Sequence, residues 1–129
     1  MAIKVSHLDH LVMTVNNIDK TCEFYEIVLG MKTDEFKVGR KALVFGHQKI
    51  NLHRYQHEFE PKAARPLPGC QDLCFIVEDN IDHVIQHLNS LNIPIELGPV
   101  ERTGAQFPIL SVYIRDPDNN LIELSVRIQ

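Results

Sequence analysis

The chain shows the same order of secondary-structure signals twice, and this internal repeat limits the folds that it can adopt. In the first half, residues 8–15 alternate between apolar and polar positions as a half-buried strand does, and apolar residues at helical spacing follow over 18–29. In the second half, residues 72–77 alternate in the same way, and apolar residues at helical spacing follow from Ile81 to Leu88. Each half then continues with three more strand-like segments. The repeat therefore predicts two modules of one design, each with the order βαβββ.

Capping residues mark both ends of the first helix. Asn16 or Asn17 can cap its N-terminus and Gly30 can end it, which predicts a helix over residues 18–29. The other strands are predicted at residues 31–38, 41–45 and 49–55 in the first half and at 93–97, 109–114 and 121–128 in the second. The predicted fold class is α+β, with two βαβββ modules that form a curved, partly open barrel-like sheet with the helices outside.

The segment between the two halves, residues 56–69, contains three prolines and one glycine and has no clear periodicity. We interpret it as a linker. The expected organisation is a single domain over residues 1–129, with one module at about 5–55 and the other at about 70–129.

Composition and charge exclude several classes of protein. A chain of 129 residues with 44% hydrophobic and 23% charged residues can build an ordinary globular core. The net charge of −4 and the lack of a Lys/Arg cluster argue against nucleic-acid binding, which needs a basic surface. No apolar run is long enough to span a membrane or to act as a signal peptide, and three cysteines form no even disulfide framework. We therefore expect a cytoplasmic protein without nucleic-acid or membrane partners.

The alternation of the strands decides which side chains lie on the face away from the helix. If the first helix packs on Leu11, Met13 and Val15, then His10 lies on the opposite, concave face. The same parity places Asp72 in the second half where His10 lies in the first. Five side chains that suit metal binding are expected on this inner wall: His10, Asn51, His53, Asp72 and Glu123.

Imidazole and carboxylate groups on one wall can bind a divalent cation. A lone histidine in a strand is more often a hydrogen-bonded core residue, so His10 alone does not decide the matter. Glu123 lies between Ile122 and Leu124, where an unpaired carboxylate is costly to bury. It needs a partner, which the pattern leaves open between a metal ion and a structural salt bridge to Arg127.

Three segments carry a family resemblance: residues 8–15, residues 22–25 with 29–31, and residues 116–124. Together they extend over nearly the whole chain, and the last combines a tight turn with a strand expected to carry a metal ligand. In these segments the chain resembles the vicinal oxygen chelate superfamily, which holds glyoxalase I, fosfomycin-resistance and bleomycin-resistance proteins, and extradiol dioxygenases. The likeness is closest to the glyoxalase-like, virulence-associated branch, where runs similar to residues 40–43 and 48–53 occur.

The resemblance implies a divalent metal ion, with nickel, zinc, manganese or iron as candidates. The metal positions of glyoxalase I correspond to His10, Asn51, Asp72 and Glu123, and His53 is a further candidate ligand. Asn51 departs from the family pattern, because a carboxylate there would be both a ligand and a potential base. The implied activity is that of a lactoylglutathione lyase-like enzyme, acting on a small oxygenated substrate such as the thiol adduct of a 2-oxoaldehyde. Glu123 is then both a ligand and the candidate catalytic base.

Two other functions fit the same resemblance. Bleomycin-resistance proteins bind their ligands without metal chemistry, and His10 with Glu123 would then serve as hydrogen-bonding groups. An extradiol-type dioxygenase would need two histidines and one carboxylate, with His53 in place of Asp72. In all three cases the partner is a small molecule, and the resemblance implies a homodimer.

Overall fold

The structure of the chain is a computed structural model that describes residues 2–128, and it consists of two compact units, residues 1–67 and 68–129. The first unit contains β1 (His10–Val15), α1 (Ile18–Leu29), β2 (Lys32–Lys37), β3 (Arg40–Phe45) and β4 (Gln48–Arg54). The second contains β5 (Asp72–Ile76), α2 (Ile81–Ser90), β6 (Leu97–Thr103), β7 (Pro108–Arg115) and β8 (Leu121–Arg127). The predicted order βαβββ is confirmed in both halves.

Each unit contains one four-stranded sheet, and the two sheets have the same topology. The strand orders are β1-β4-β3-β2 and β5-β8-β7-β6. In each sheet the first and last strands of the unit pair in parallel, whereas all other neighbours are antiparallel. A helix connects the first strand to the rest of each sheet, as a parallel pair requires. The α+β class with two βαβββ modules is therefore confirmed, and neither sheet closes on itself.

Helix α1 has the bounds that its capping residues predict. The Asn17 side chain accepts a hydrogen bond from the backbone N–H of Lys20 at 3.0 Å, which satisfies a free donor at the helix start. Gly30 ends the helix at φ 67°, a left-handed conformation that glycine adopts without strain. With 12 residues α1 is the longer of the helices, and within residues 2–128 no helix has the length and apolar character of a membrane span.

The prediction of a strand at residues 93–97 is wrong, since β6 runs from Leu97 to Thr103. The backbone N–H of Ile93 donates to the carbonyl oxygen of Leu88 at 2.9 Å, so this residue closes the turn that follows α2. Glycine and proline usually bound a strand, but Gly98 and Pro99 lie inside β6, where the register shifts between Leu97 and Val100. An edge strand with a bulge tolerates a proline, because the missing N–H faces no ladder partner.

The turn between β7 and β8 is held by two buried side chains. Asp116 Oδ1 accepts from the backbone N–H groups of Asp118 and Asn120, both at 2.9 Å, and Asp116 Oδ2 accepts from the Asn120 amide at 2.8 Å. Asn120 Oδ1 in turn accepts from the backbone N–H of Gln71 at 2.9 Å, just before β5. The turn therefore fixes the start of β5 against the start of β8.

The register of both sheets agrees with the predicted alternation of faces. Met13, Ile50 and Leu52 share one face of the first sheet and are buried. Ile122 and Leu124 lie in the corresponding strand of the second sheet and are also buried. The five candidate ligands all lie on the opposite, non-core faces of their sheets. These faces therefore carry the candidate functional residues.

Candidate functional site

His10, the first residue of β1, forms a close pair with the residue before it. Its Nδ1 lies 2.8 Å from Oδ2 of Asp9, and the hydrogen bond from His10 lowers the pKa of Asp9. An ionised carboxylate on Nδ1 fixes the imidazole tautomer so that Nε2 carries the free lone pair. Histidines that bind metal ions are oriented in this way, so the contact is what a metal-binding His10 would need.

Asn51 lies on β4, opposite Val12 of β1 and Ala42 of β3. The residue is only 9% exposed, and its Oδ1 atom has no hydrogen-bond partner among the described residues. Buried acceptors are almost always paired in folded proteins. The unused oxygen therefore indicates a position where a ligand donates a hydrogen bond or a cation binds.

His53, two residues further along β4, is 4% exposed. The ring of Phe59 covers it, with 5.6 Å between the ring centroids at an edge-on angle. Burial lowers the pKa of His53 and the charge of Arg40 lowers it further, although Glu58 opposes the shift. His53 is therefore a neutral imidazole near pH 7, and part of the predicted linker folds back onto the first sheet.

Arg40 is a residue of this face that the sequence analysis missed. Its guanidinium carbon lies 3.9 Å from the ring centroid of Phe59 and 5.3 Å from that of Phe36. The strand had been predicted to begin at Lys41, one residue too late to include it. The sequence does contain a signal for Arg40: it lies two residues before Ala42, and residues two apart in a strand share a face. Ala42 pairs with Asn51, so Arg40 lies on the face that carries Asn51.

In the second unit, Asp72 and Glu123 lie on one face of the sheet. Asp72 pairs with Leu121 and Cys74 pairs with Glu123 between the parallel strands β5 and β8. Asp72 is exposed and Glu123 is partly buried. The period of two along each strand thus places both carboxylates on the same face, as the sequence predicts.

Glu123 is held by hydroxyl groups. Ser111 Oγ donates to Glu123 Oε2 at 2.6 Å, and Ser125 Oγ lies 3.4 Å from the same oxygen. The alternative partner, Arg127, instead stacks on Phe107, with its guanidinium carbon 4.8 Å from the ring centroid. Both hydroxyl contacts of Glu123 use Oε2, which fixes the orientation of the carboxylate.

The hydroxyls around Glu123 belong to a chain of hydrogen bonds that runs in one direction. Ser111 Oγ lies 2.7 Å from Ser125 Oγ, which lies 3.3 Å from the Cys74 sulfur. Because a hydroxyl has one hydrogen and Ser111 donates it to Glu123, Ser111 must accept from Ser125, and Ser125 then accepts from the Cys74 thiol. Partial burial raises the pKa of Cys74, and the charge of Glu123 adds to this increase, whereas the hydrogen bond with Ser125 opposes it. The pKa is raised on balance, so the thiol keeps its proton. Ser111 was missed because no face had been assigned to β7.

The structure brings the predicted ligands together in pairs. His10 and Asn51 share a face of the first sheet, and Asp72 and Glu123 share a face of the second. Among residues 2–128, no three His, Cys, Asp or Glu side chains lie close enough to one another to hold a metal ion. The ligand set therefore stays a prediction.

Curated relatives extend over most of the chain. The Glyoxalase domain-containing protein RDO1 of Mycosarcoma maydis is 58% identical over 123 residues, which cover 95% of this chain and 69% of that protein. The Virulence protein STM3117 of Salmonella typhimurium is 56% identical over 121 residues, 94% of this chain and 84% of that protein. The Metallothiol transferase FosB of Shouchella clausii is 27% identical, covering 93% of this chain and 80% of that protein.

The crystal structure of the Virulence protein STM3117 superposes on this chain with a TM-score of 0.96 at 54% identity. The match covers 98% of this chain and 100% of the solved one. The family model for the Glyoxalase/Bleomycin resistance protein/Dioxygenase superfamily matches residues 7–124. Repeat, topology and relatives agree, and the chain belongs to the glyoxalase/bleomycin resistance protein/dioxygenase superfamily, also called the vicinal oxygen chelate superfamily.

Proposed function

We propose that the chain is a divalent-metal-dependent, glyoxalase-like enzyme that acts on a small oxygenated substrate. His10, Asp72 and Glu123 are the proposed ligands, with Asn51 or His53 as a further one. The observation that carries the proposal is the contact between His10 Nδ1 and Asp9 at 2.8 Å, because it prepares Nε2 of His10 to bind a metal ion. The substrate class is an oxygenated compound such as the thiol adduct of a 2-oxoaldehyde.

The residues present fit such an ion. One imidazole with carboxylate and amide oxygens suits zinc, nickel, manganese or ferrous iron. The buried Oδ1 of Asn51, which has no partner within residues 2–128, supports a cation or a donor at that point. The name of FosB, a metallothiol transferase, supports metal use within the superfamily. A reducing cytoplasm suits the three unpaired cysteines.

When bound, the metal ion would act as a Lewis acid that stabilises negative charge on the substrate oxygens. Glu123 is the group that takes up and returns the proton. Ser111 holds Oε2, so the carboxylate keeps one orientation. Asn51 is neutral and cannot accept a proton, so Glu123 carries both the removal and the return of the proton alone.

The first test is the metal content of protein purified without an affinity tag, measured by elemental analysis. We expect nearly one metal ion per wild-type chain, and a loss of that metal in the His10→Ala and Glu123→Gln variants. His83→Ala is the matched control, because His83 also contacts an aspartate, Asp79, but on α2. Hemithioacetal isomerisation by the metal-loaded wild type is the assay that follows.

Wild-type protein that takes up no metal after incubation with nickel, zinc, manganese and anaerobic ferrous iron would contradict the proposal. One observation favours the second candidate in that case, a small-molecule binding protein of the bleomycin-resistance type. The carboxylate of Glu123 already accepts a short hydrogen bond from Ser111, so its partial burial does not require a metal. Ligand binding that persists in the Glu123→Gln variant would support this second function.

A further inference from the structure

The guanidinium group of Arg40 is buried in part and has unused hydrogen-bond donors. Its Nε atom is inaccessible to solvent and has no hydrogen-bond partner in the described part of the chain. Across residues 2–128, Arg40 also forms no ion pair; its guanidinium lies over the rings of Phe36 and Phe59, and its charge acts on the buried imidazole of His53. A buried N–H without an acceptor is costly, because the group loses its water and gains nothing in return. Arg40 is therefore placed to bind an acceptor that comes from outside the chain.

The two aromatic rings hold the guanidinium in a defined position. Phe59 lies 3.9 Å and Phe36 lies 5.3 Å from the guanidinium carbon, measured to the ring centroids. Stacking of this kind orients the planar group without using any of its N–H donors. The Nε side of a fixed guanidinium is a fork of two parallel donors, and a carboxylate matches that fork with its two oxygens.

The unpaired oxygen of Asn51 lies on the same face, near Arg40. Asn51 pairs with Ala42, and Arg40 is two residues from Ala42 on β3. Such diagonal neighbours on a sheet lie roughly 7–8 Å apart, within reach of long side chains. Ala42 has only a methyl group, so little side-chain volume separates the buried donor of Arg40 from the buried acceptor of Asn51. Arg40 Nε and Asn51 Oδ1 nevertheless form no hydrogen bond with each other.

No carboxylate within residues 2–128 forms an ion pair with the Arg40 guanidinium. Glu58 has a buried side chain, but its Oε1 lies 3.9 Å from the Lys62 ammonium and its Oε2 accepts the backbone N–H of Gln56. Asp34 faces the same side from β2, opposite Ala42, and is exposed, without an ion pair to Arg40. The Lys49 ammonium lies over Phe36, 4.4 Å from the ring centroid. An anion on Arg40 would therefore meet a free positive charge.

We propose that Arg40 is a carboxylate-binding residue, and that the substrate is a small oxygenated carboxylic acid whose oxygen-bearing carbon lies towards Asn51. One guanidinium held against two aromatic rings favours a flat, singly charged carboxylate over a phosphonate, which has three oxygens and more negative charge. The inference rests on the proposed function only in taking the bound acid as the substrate. Binding of the carboxylate itself requires no metal ion.

The experiment uses the full chain, freed of metal with a chelator and labelled with ¹⁵N, so that the Nε–H signal of Arg40 is observed directly. The probes are lactate and pyruvate, with lactamide as the neutral analogue of lactate and methylphosphonate as the other anion. We expect millimolar lactate or pyruvate to shift the Arg40 Nε–H signal and lactamide to leave it unchanged. The affinity should fall at least about tenfold in Arg40→Gln and in Arg40→Lys, which keeps the charge but loses the fork.

Arg65→Gln is the matched control, since Arg65 is exposed and its loss changes the net charge equally. The inference would be overturned if lactamide bound as well as lactate, if folded Arg40→Gln kept the wild-type affinity, or if the Arg40 Nε–H signal did not shift. Tighter binding of methylphosphonate than of lactate would overturn the carboxylate assignment. If Arg40→Gln does not fold, the wild-type signal and Arg40→Lys decide the matter. The Glu123→Gln variant should lose the metal and still bind the carboxylate, so the two proposals can fail independently.

Discussion

Two Asp–His pairs in the chain have the same chemistry and different surroundings. Asp9 contacts Nδ1 of His10 at 2.8 Å at the start of β1, and Asp79 contacts Nδ1 of His83 at 2.6 Å beside α2. Both pairs are largely exposed, so neither adds much to stability. Only His10 of the first pair lies on the sheet face that carries candidate ligands. A comparison of the two pairs can therefore test whether the Asp–His contact matters for metal binding.

Replacing Asp9 with Asn should weaken metal binding about 10–100-fold, because an amide orients the imidazole less firmly and makes Nε2 less basic. Competition with a chromophoric chelator measures the affinity, and thermal unfolding checks that the fold is unchanged. Asp79→Asn is the control and should bind metal as the wild type does. Equal metal affinity in Asp9→Asn and wild-type protein would remove Asp9 from the site.

Period-two alternation was sufficient to assign the face of each candidate ligand. It placed His10, Asn51, Asp72 and Glu123 as the register shows them. It could not identify the partner of Glu123, because the nearest cation in sequence, Arg127, stacks on a ring whereas the actual donor comes from a different strand, β7. Contacts between strands depend on register, which a single sequence does not determine.

At the scale of elements, local signals were reliable where a capping side chain was present. Helix α1 begins after the Asn17 cap and ends at Gly30 as predicted. Strand β6 was misplaced because Gly98 and Pro99 usually end a strand, and only an edge position with a bulge accommodates them. The segment 56–67 gave no periodic signal, although Phe59 packs on the first sheet. Its position depends on contacts that are distant in sequence.

The turn at residues 116–120 is part of the family resemblance, and the structure gives it a supporting role. Asn120 joins Asp116 to the backbone of Gln71 in a buried position. Asn120→Ala would leave a buried N–H and a carboxylate oxygen without their partners, so we expect a loss of about 2–3 kcal/mol in the free energy of unfolding. Denaturant titration monitored by circular dichroism measures this loss.

Asn119→Gly is the matched variant in the same turn. Asn119 has φ 67°, which glycine adopts freely, and the neighbouring contacts use its backbone. The unfolding free energy should change by less than about 1 kcal/mol. A similar loss in both variants would show that the turn is sensitive to any substitution, and the buried network of Asn120 would not be the cause.

At the scale of the whole molecule, the proposed ligands come from both units, and the family resemblance implies a homodimer. His10→Ala and Glu123→Gln each remove one ligand, and neither variant should retain metal alone. If one copy supplies His10 and another supplies Glu123, mixed dimers regain one intact site. Unfolding the two variants together and refolding them should then recover about a quarter of the wild-type metal content, since half of randomly formed dimers are mixed.

Each variant refolded alone is the control for this experiment, and sedimentation reports the oligomeric state. Refolded mixed dimers without recovered metal would show that the two ligands do not come from different copies. A monomeric wild type would contradict the homodimer itself. Metal content is the readout, so the result does not depend on knowing the substrate.

The position of β4 and β8 has a consequence for synthesis of the chain on the ribosome. Each is the last strand of its unit, yet each lies inside its sheet between the first strand and the β3 or β7 hairpin partner. The apolar strand β1 therefore waits, unpaired, until residue 54 has emerged, and β5 waits until residue 127. Unpaired apolar strands in nascent chains are exposed to aggregation. Chaperone binding to the nascent chain should therefore increase twice during translation, once for each unit, and decrease when β4 and then β8 have left the ribosome.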